Sequence, residues 1–237
     1  MQFKGIEKNS LIEWPGKAVT VVYTGGCNFR CPFCQNSDLV LRPESLPSIE
    51  GEEIIEHLNS REKWLDGLMI TGGEPTIHPS LTDFSQRVKR EGFEVGVETN
   101  GSKPEKLEEL LKRNLVDRIA LDVKAPLEAG KYQRATGIEK DDLPEKIEKS
   151  MRLLRNSNVD YEYRTTVVPR LLNVKDMMKI GNRIRETEEF FLQQFVPKNT
   201  LDKEFESLEP YSEKKLKSVE NQLKKRANLP NCEVRNL

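Results

Sequence analysis

The stretch "TGGCNFRCPFCQNSD", Thr24 to Asp38, holds three of the chain's four cysteines, at positions 27, 31 and 34. Three residues separate the first pair and two the second. A disulfide uses two thiols and a structural zinc site closes with four ligands, so a set of three needs another explanation. The rest of the chain supplies the context in which to find one.

With 237 residues the chain is long enough for one large domain with a substantial core. Its 38 basic and 39 acidic residues nearly cancel, which gives no sign of nucleic acid or an anionic membrane as partner. The opening segment "MQFKGIEKNSLIEWPGK" lacks the apolar run of a signal peptide, and no stretch of about 18 apolar residues occurs. A cytoplasmic protein is expected. In that reducing compartment clustered cysteines serve as metal ligands or redox groups rather than as disulfides. The charged residues, 32% of the chain, are read as an ordinary solvated surface.

Six short runs rich in β-branched and aromatic residues read as strands: "AVTVVYTG" (18–25), "GLMITGG" (67–73), "FEVGVETN" (93–100), "DRIALDVK" (117–124), "YEYRTTVVP" (161–169) and "FFLQQFVP" (190–197). Between them apolar residues recur at helical spacing, as in Ile54, Ile55 and Leu58, then Leu107, Leu110 and Leu111 after Pro104. Asn173 is a candidate cap for a later helix, and a final helix is predicted from Ser212 to about Arg226. Such alternation implies parallel strands with right-handed crossovers, in an open doubly wound sheet or a partial barrel. Periodicity does not choose between them. Nothing divides the chain, so one domain over 1–237 is expected, with a core of about 5–197 and a helical extension of about 198–237. Gln35 to Ser48 and Ala125 to Gly137 are read as loops.

Ligands in parallel α/β folds bind beyond the carboxyl ends of the strands. The cysteine stretch follows the first predicted strand, "TGGEP" the second, "ETNG" the third and "DVK" ends the fourth. All four therefore gather on one rim. Cys27, Cys31 and Cys34 can wrap a cuboidal iron-sulfur cluster, giving three irons one thiolate each and leaving the fourth iron open to a small chelating molecule. Cys232 alone could close that position, and it is read as a small half-buried residue. Zinc is the rival metal, but paired knuckles or closely spaced histidines are missing; His57 and His78 are read as packing residues. Gly72 and Gly73 would let backbone approach a ligand. Glu98 and Thr99 offer oxygens nearby, and Asp122 and Lys124, two apart on a strand, point to the same side.

Together these residues resemble the radical S-adenosylmethionine (SAM) superfamily, whose CxxxCxxC hallmark stands here as "CNFRCPFC" with "GGE" downstream. The longer stretch "SLIEWPGKAVTVVYTGGCNFRCPFCQN", with "TGGEP", "ETNG" and "LDVK", is similar to the glycyl-radical-enzyme activases, most of all to activators of anaerobic ribonucleoside-triphosphate reductase. The resemblance runs from about Gly5 to Pro197. It implies a partial (β/α)6 TIM-like barrel of six parallel strands. It further implies a [4Fe-4S] cluster on Cys27, Cys31 and Cys34, with Phe33 against the adenine of SAM. Gly72, Gly73 and Glu74 would hold the methionine amino group, mostly through backbone, and Lys124 the carboxylate. Glu98, Thr99 and Asp122 would surround that region, with a monovalent cation as an open option. Arg164 would stand near the cofactor, and Gln193 or Gln194 would supply a polar group from the last strand.

The implied activity is reductive cleavage of SAM to a 5'-deoxyadenosyl radical that takes a glycine hydrogen from a partner. That partner would be a glycyl radical enzyme, anaerobic ribonucleoside-triphosphate reductase first, with flavodoxin or ferredoxin as electron donor. The chain departs from its relatives at Gln35, where histidine is common, at Glu98, where a related activase has Asp, and in "LQQFVPKN", which lacks a histidine found there in that activase. Two rival readings are a radical SAM enzyme acting on a small molecule or peptide, and a metal-binding interaction protein without catalysis.

Overall fold

The computed structural model describes residues 1–185 and 188–235. The chain begins with β1 (Gln2–Phe3), β2 (Gly5–Ser10) and β3 (Val19–Thr24), followed by α1 (Ser37–Leu41), β4 (Ile49–Glu50) and α2 (Gly51–Asn59). Then strand and helix alternate through β5 (Gly67–Gly72), α3 (Leu81–Arg90), β6 (Glu94–Thr99), α4 (Pro104–Lys112) and β7 (Arg118–Asp122). After β7 come α5 (Ala129–Thr136), α6 (Leu143–Arg155), β8 (Asp160–Val167), α7 (Val174–Gly181), β9 (Glu189–Gln194), α8 (Glu213–Arg226) and β10 (Cys232–Arg235).

Local chemistry accounts for the helix boundaries. Glu50 and Glu53 form a reciprocal capping box at α2, Asn173 and Asp176 do the same at α7, and Ser212 caps α8. Pro104 opens α4, where its missing N–H leaves no bond unmade. One face of each helix then closes over the sheet.

Strands β3, β5, β6, β7, β8 and β9 lie side by side in chain order and all run parallel. A doubly wound sheet reverses its strand order at a switch point, whereas a monotonic order winds in one direction and curls into a barrel. The six-unit partial (β/α)6 barrel is therefore the architecture, and two further strands extend it. β2 pairs antiparallel with β3, and β10 pairs parallel with β9, making an eight-stranded sheet whose end strands do not pair among the described residues.

Three segments differ from the sequence reading. Residues 35–48 and 125–137, expected as loops, contain α1 and α5, and the region beyond 197, expected to be helical, ends in β10. Cys232 on that strand is fully buried rather than half-buried. Strand β10 escapes periodicity because it has four residues and carries Glu233 and Arg235, charges that suit a sheet edge.

Alternation sorts the strand residues into two environments. Val22, Ile70, Val97, Leu121 and Leu192 join the main core under the helices. Facing the barrel axis, Val19, Val21 and Met69 pack on Trp14, which is 3% exposed and belongs to the segment between β2 and β3. Above this apolar plug the interior is ionic. Glu162, completely buried, is paired with Arg118, Arg164 and Arg235 from three strands, and Arg164 also pairs with Glu98. Removing one partner from such a buried set costs about 3–5 kcal/mol, because the remaining charges stay out of water.

Glu13 enters the same interior from the plug segment, 3.7 Å from Arg164 and beside Glu98. Burial first, and then the Glu98 charge, push its carboxyl up to about 7 against the pull of Arg164. The folded protein thus keeps this proton over a range where the unfolded chain has released it, so stability falls as pH rises through that window. Glu13→Gln is neutral at every pH. Thermal unfolding should show the parent losing stability relative to Glu13→Gln from the ordinary carboxylate range up to about pH 7; a difference independent of pH would place the Glu13 proton elsewhere.

Candidate active site

At the carboxyl end of β3 the chain turns into the cysteine loop, and neighbouring segments hold that loop by its backbone. The Glu74 amide donates to the Gly26 carbonyl at 2.9 Å and the Arg30 amide donates to the Thr136 carbonyl at 2.7 Å. Beyond β9, the amides of Leu201 and Asp202 donate to the carbonyls of Cys34 and Pro32, both at 2.9 Å. The loop has little regular structure of its own, so these bonds satisfy backbone groups that a helix or strand would otherwise pair.

The glycines explain how close the packing is. Gly72 has φ of +109°, and a Cβ there would lie 2.5 Å from the Thr24 nitrogen; at Gly73 it would lie 1.9 Å from the Gly26 oxygen. Any side chain at either position would push the β5 loop away from the cysteine loop.

Cys27, Cys31, Phe33, Cys34, Gly72, Gly73, Glu74, Glu98, Thr99, Asp122 and Lys124 all line one cavity. The cavity opens to solvent, and polar groups and the three sulfurs converge on it. The structure therefore brings these residues together, but not Arg164, Gln193 or Gln194; Gln194 instead donates to the Tyr211 carbonyl at 2.6 Å. The Arg164 guanidinium lies behind Glu98, in the ionic barrel interior, and reaches the cavity only through the Glu98 carboxylate.

The polar groups of the cavity divide into those bound within the protein and those poised at its surface. Glu74, 1% exposed, accepts hydrogen bonds from the Thr76 amide at 3.0 Å, the Thr99 hydroxyl at 2.6 Å, the Asn100 amide at 2.7 Å and the Thr76 hydroxyl. Burial pushes its carboxyl up and these donors oppose the rise. Its side chain therefore joins the β5 and β6 loops, and with its amide on Gly26 only its backbone carbonyl has capacity left to meet a ligand. Lys124 Nζ lies 2.7 Å from Asp122 and 6.0 Å from the centre of the Phe33 ring. Burial alone would favour the neutral amine, but Asp122 and the neighbouring sulfurs of Cys31 and Cys34 hold Lys124 protonated above the usual lysine range.

Burial raises the Cys27 thiol to about 11 and the Cys31 thiol to about 12. Thiolates persist at such a place only opposite positive charge, which a metal centre supplies. Among the described residues no three His, Cys, Asp or Glu side chains converge tightly enough for a single metal ion. The three sulfurs line the one cavity, a donor set suited to the separate irons of one cluster.

A model of the radical SAM superfamily matches residues 21–183. The chain belongs to the radical SAM superfamily. A Methanocaldococcus jannaschii protein named, by inference, as a glycyl-radical enzyme activating enzyme is 34% identical, over 91% of this chain and 88% of its own. The pyruvate formate-lyase-activating enzyme of Clostridium pasteurianum is 27% identical over 92% of this chain and 95% of its own. In fold, the chain is similar to a radical SAM methyltransferase from Sphaerobacter thermophilus, with a TM-score of 0.71 at 16% identity over 94% of this chain and 67% of that one.

Asn36, which the sequence reading passed over, donates to the Gly72 carbonyl at 3.2 Å; Gln35, named above as a departure, reaches the carbonyls of Val196 and Lys198; and behind the lining Tyr132, fully buried, accepts from the Lys124 amide at 3.3 Å. Asn28 and Asn100 were in view within "CNFRC" and "ETNG", where turn formation masked their side-chain roles. Among the described residues no helix is long and apolar enough to cross a membrane.

The placement of the cysteines yields a direct test. Cys27 faces the cavity, whereas Cys232 is packed in the core of the sheet's far edge. Anoxically reconstituted protein should hold about four irons per chain. Cys232→Ser should retain them and Cys27→Ser should lose them, measured by iron analysis and absorbance. The reverse pattern would overturn the ligand assignment.

Proposed function

We propose that this radical SAM enzyme activates a glycyl radical enzyme by removing a hydrogen atom from the α-carbon of one of its glycines. The observation that supports this most is the extent of similarity. A protein named by inference as a glycyl-radical enzyme activating enzyme and a pyruvate formate-lyase-activating enzyme each align over nine-tenths of the chain, far beyond the cluster motif. Anaerobic ribonucleoside-triphosphate reductase is the first partner to test, flavodoxin or ferredoxin the electron donor, and the cytoplasm the compartment.

A reduced [4Fe-4S] cluster with SAM bound supplies one electron to break the C5'–S bond, releasing methionine and a 5'-deoxyadenosyl radical. In this reading Cys27, Cys31 and Cys34 hold the cluster. Phe33 offers a ring face to adenine, and carbonyl groups of the Gly72–Glu74 segment accept from the methionine ammonium. Lys124 turns from Asp122 to the methionine carboxylate. Glu98, Thr99 and Asp122 border that end of the cavity, and Arg164 fixes Glu98 from behind. Lys124 and Arg164 already neutralise Asp122 and Glu98, so a monovalent cation is an accessory in this reading rather than a requirement. Together these groups hold the reacting carbon in place and keep water from it.

Lys124→Met keeps the stem and removes the ammonium. A hydrogen bond between charged groups contributes about 1.5–3 kcal/mol, so SAM affinity should fall about 10- to 100-fold with iron content unchanged. Equal affinity, measured by equilibrium binding under anoxic conditions, would take Lys124 out of the binding site.

The activase reading itself is tested with isotope. Reduced enzyme, SAM and a partner deuterated at glycine should transfer deuterium into 5'-deoxyadenosine while a long-lived organic radical grows in the electron paramagnetic resonance spectrum, a doublet with the unlabelled partner whose splitting collapses with the deuterated one. Unlabelled 5'-deoxyadenosine, formed in step with consumption of a small nucleoside or peptide, would replace the activase by a small-molecule or peptide-modifying enzyme.

A further inference from the structure

Asn100, immediately after β6, is 5% exposed and held from several sides. Its backbone amide donates to Glu74 at 2.7 Å, and its side-chain oxygen accepts from the Ser102 amide at 2.9 Å. With the oxygen committed, the NH2 group must face the other way. One hydrogen goes to Asn28 Oδ1 at 3.0 Å, and Nδ2 also stands 3.9 Å from the Cys27 sulfur. Asn28 is locked in turn, donating through its own Nδ2 to the Ser102 hydroxyl at 2.7 Å. Flipping the Asn100 amide would set oxygen against Asn28 Oδ1 and NH2 against the Ser102 N–H. The ring of three side chains therefore admits one orientation.

Cys27 also receives the Phe29 amide at 3.3 Å, so two N–H groups address its sulfur. We infer that Asn100 is a positioning residue whose amide N–H, oriented by Asn28 and Ser102, stabilises the electron-rich Cys27 sulfur and raises the reduction potential of the cluster. The inference rests on the cluster assignment proposed above. Its physical basis is that reduction adds negative charge shared with the cysteine sulfurs, and hydrogen bonds to those sulfurs favour the reduced form. The long contact to a neutral thiol strengthens when that sulfur carries charge.

Two variants test it. Asn100→Asp keeps the oxygen that accepts from Ser102 but replaces the donor with a carboxylate oxygen, and Asn100→Leu keeps the approximate shape with no polar atom. A potentiometric titration of the reduced cluster's paramagnetic signal, without SAM, should show a midpoint shifted to more negative potential in both, at the parent's iron content. Electron-nuclear double resonance should show one exchangeable proton coupling lost, a change that a merely structural role would not produce. An unshifted midpoint in variants with intact clusters overturns the inference and leaves the cluster assignment standing. Failure of both variants to assemble a cluster would also overturn it, assigning Asn100 to assembly. A parent protein that never holds a cluster would overturn the assignment and the inference together.

Discussion

The Glu74 carboxylate is withdrawn from water at the barrel rim, and the groups that satisfy it come from both sides of the cavity. Thr76 closes the β5 loop on it, while Thr99 and Asn100 bring the end of β6 to the same oxygens. Its backbone amide meanwhile grips Gly26 at the start of the cysteine loop. Three loops that share no sequence proximity are thereby fixed relative to one buried charge. Losing any donor would leave that charge short of compensation, a penalty of about 1–3 kcal/mol or more for an ionised group.

Below the rim a second set of buried charges does a different job. Glu162 gathers arginines from β7, β8 and β10, and Arg164 hands the network on to Glu98 at the cavity wall. Hydrophobic residues could fill a barrel of this size at no greater cost in stability. The ionic filling instead fixes the direction of Glu98, whose second oxygen accepts from Thr71 at 2.6 Å. A carboxylate held this way presents a defined edge to the cavity, and preorganisation of that kind needs polar rather than apolar support.

The six barrel strands were legible because β-branched runs such as those at Val19–Thr24 and Arg118–Asp122 carry their periodicity locally. The cysteines, Gly72 and Gly73 were legible because their spacing and backbone requirements narrow the chemistry. Glu74 was harder: beside two glycines in a binding motif it invites a ligand role, and only the folded contacts show that its side chain is occupied within the protein. Arg164 misled in the opposite sense, since its strand points it inward but not upward to the rim. Strand β10 and helix α5 were not visible, one being too short for a period and the other having been read as part of a Pro- and Gly-bounded loop.

The cysteine motif names the donors but does not itself shape the loop that carries them. Cys34 and Pro32 give their carbonyls to Leu201 and Asp202, while Gln35 bonds the backbone at Val196 and Lys198, more than 160 residues downstream for the first of these. On the opposite side Arg30 is tied to the end of α5 through Thr136. A flexible octapeptide with three thiols would pay the full entropy of ordering its backbone each time it met iron. Here that ordering is tied to the folding of the barrel and of the segment that follows β9. The stretch beyond residue 197, which carries none of the motifs read from the sequence, thus takes part in setting where the three sulfurs stand, and the reach of the motif extends to the whole fold.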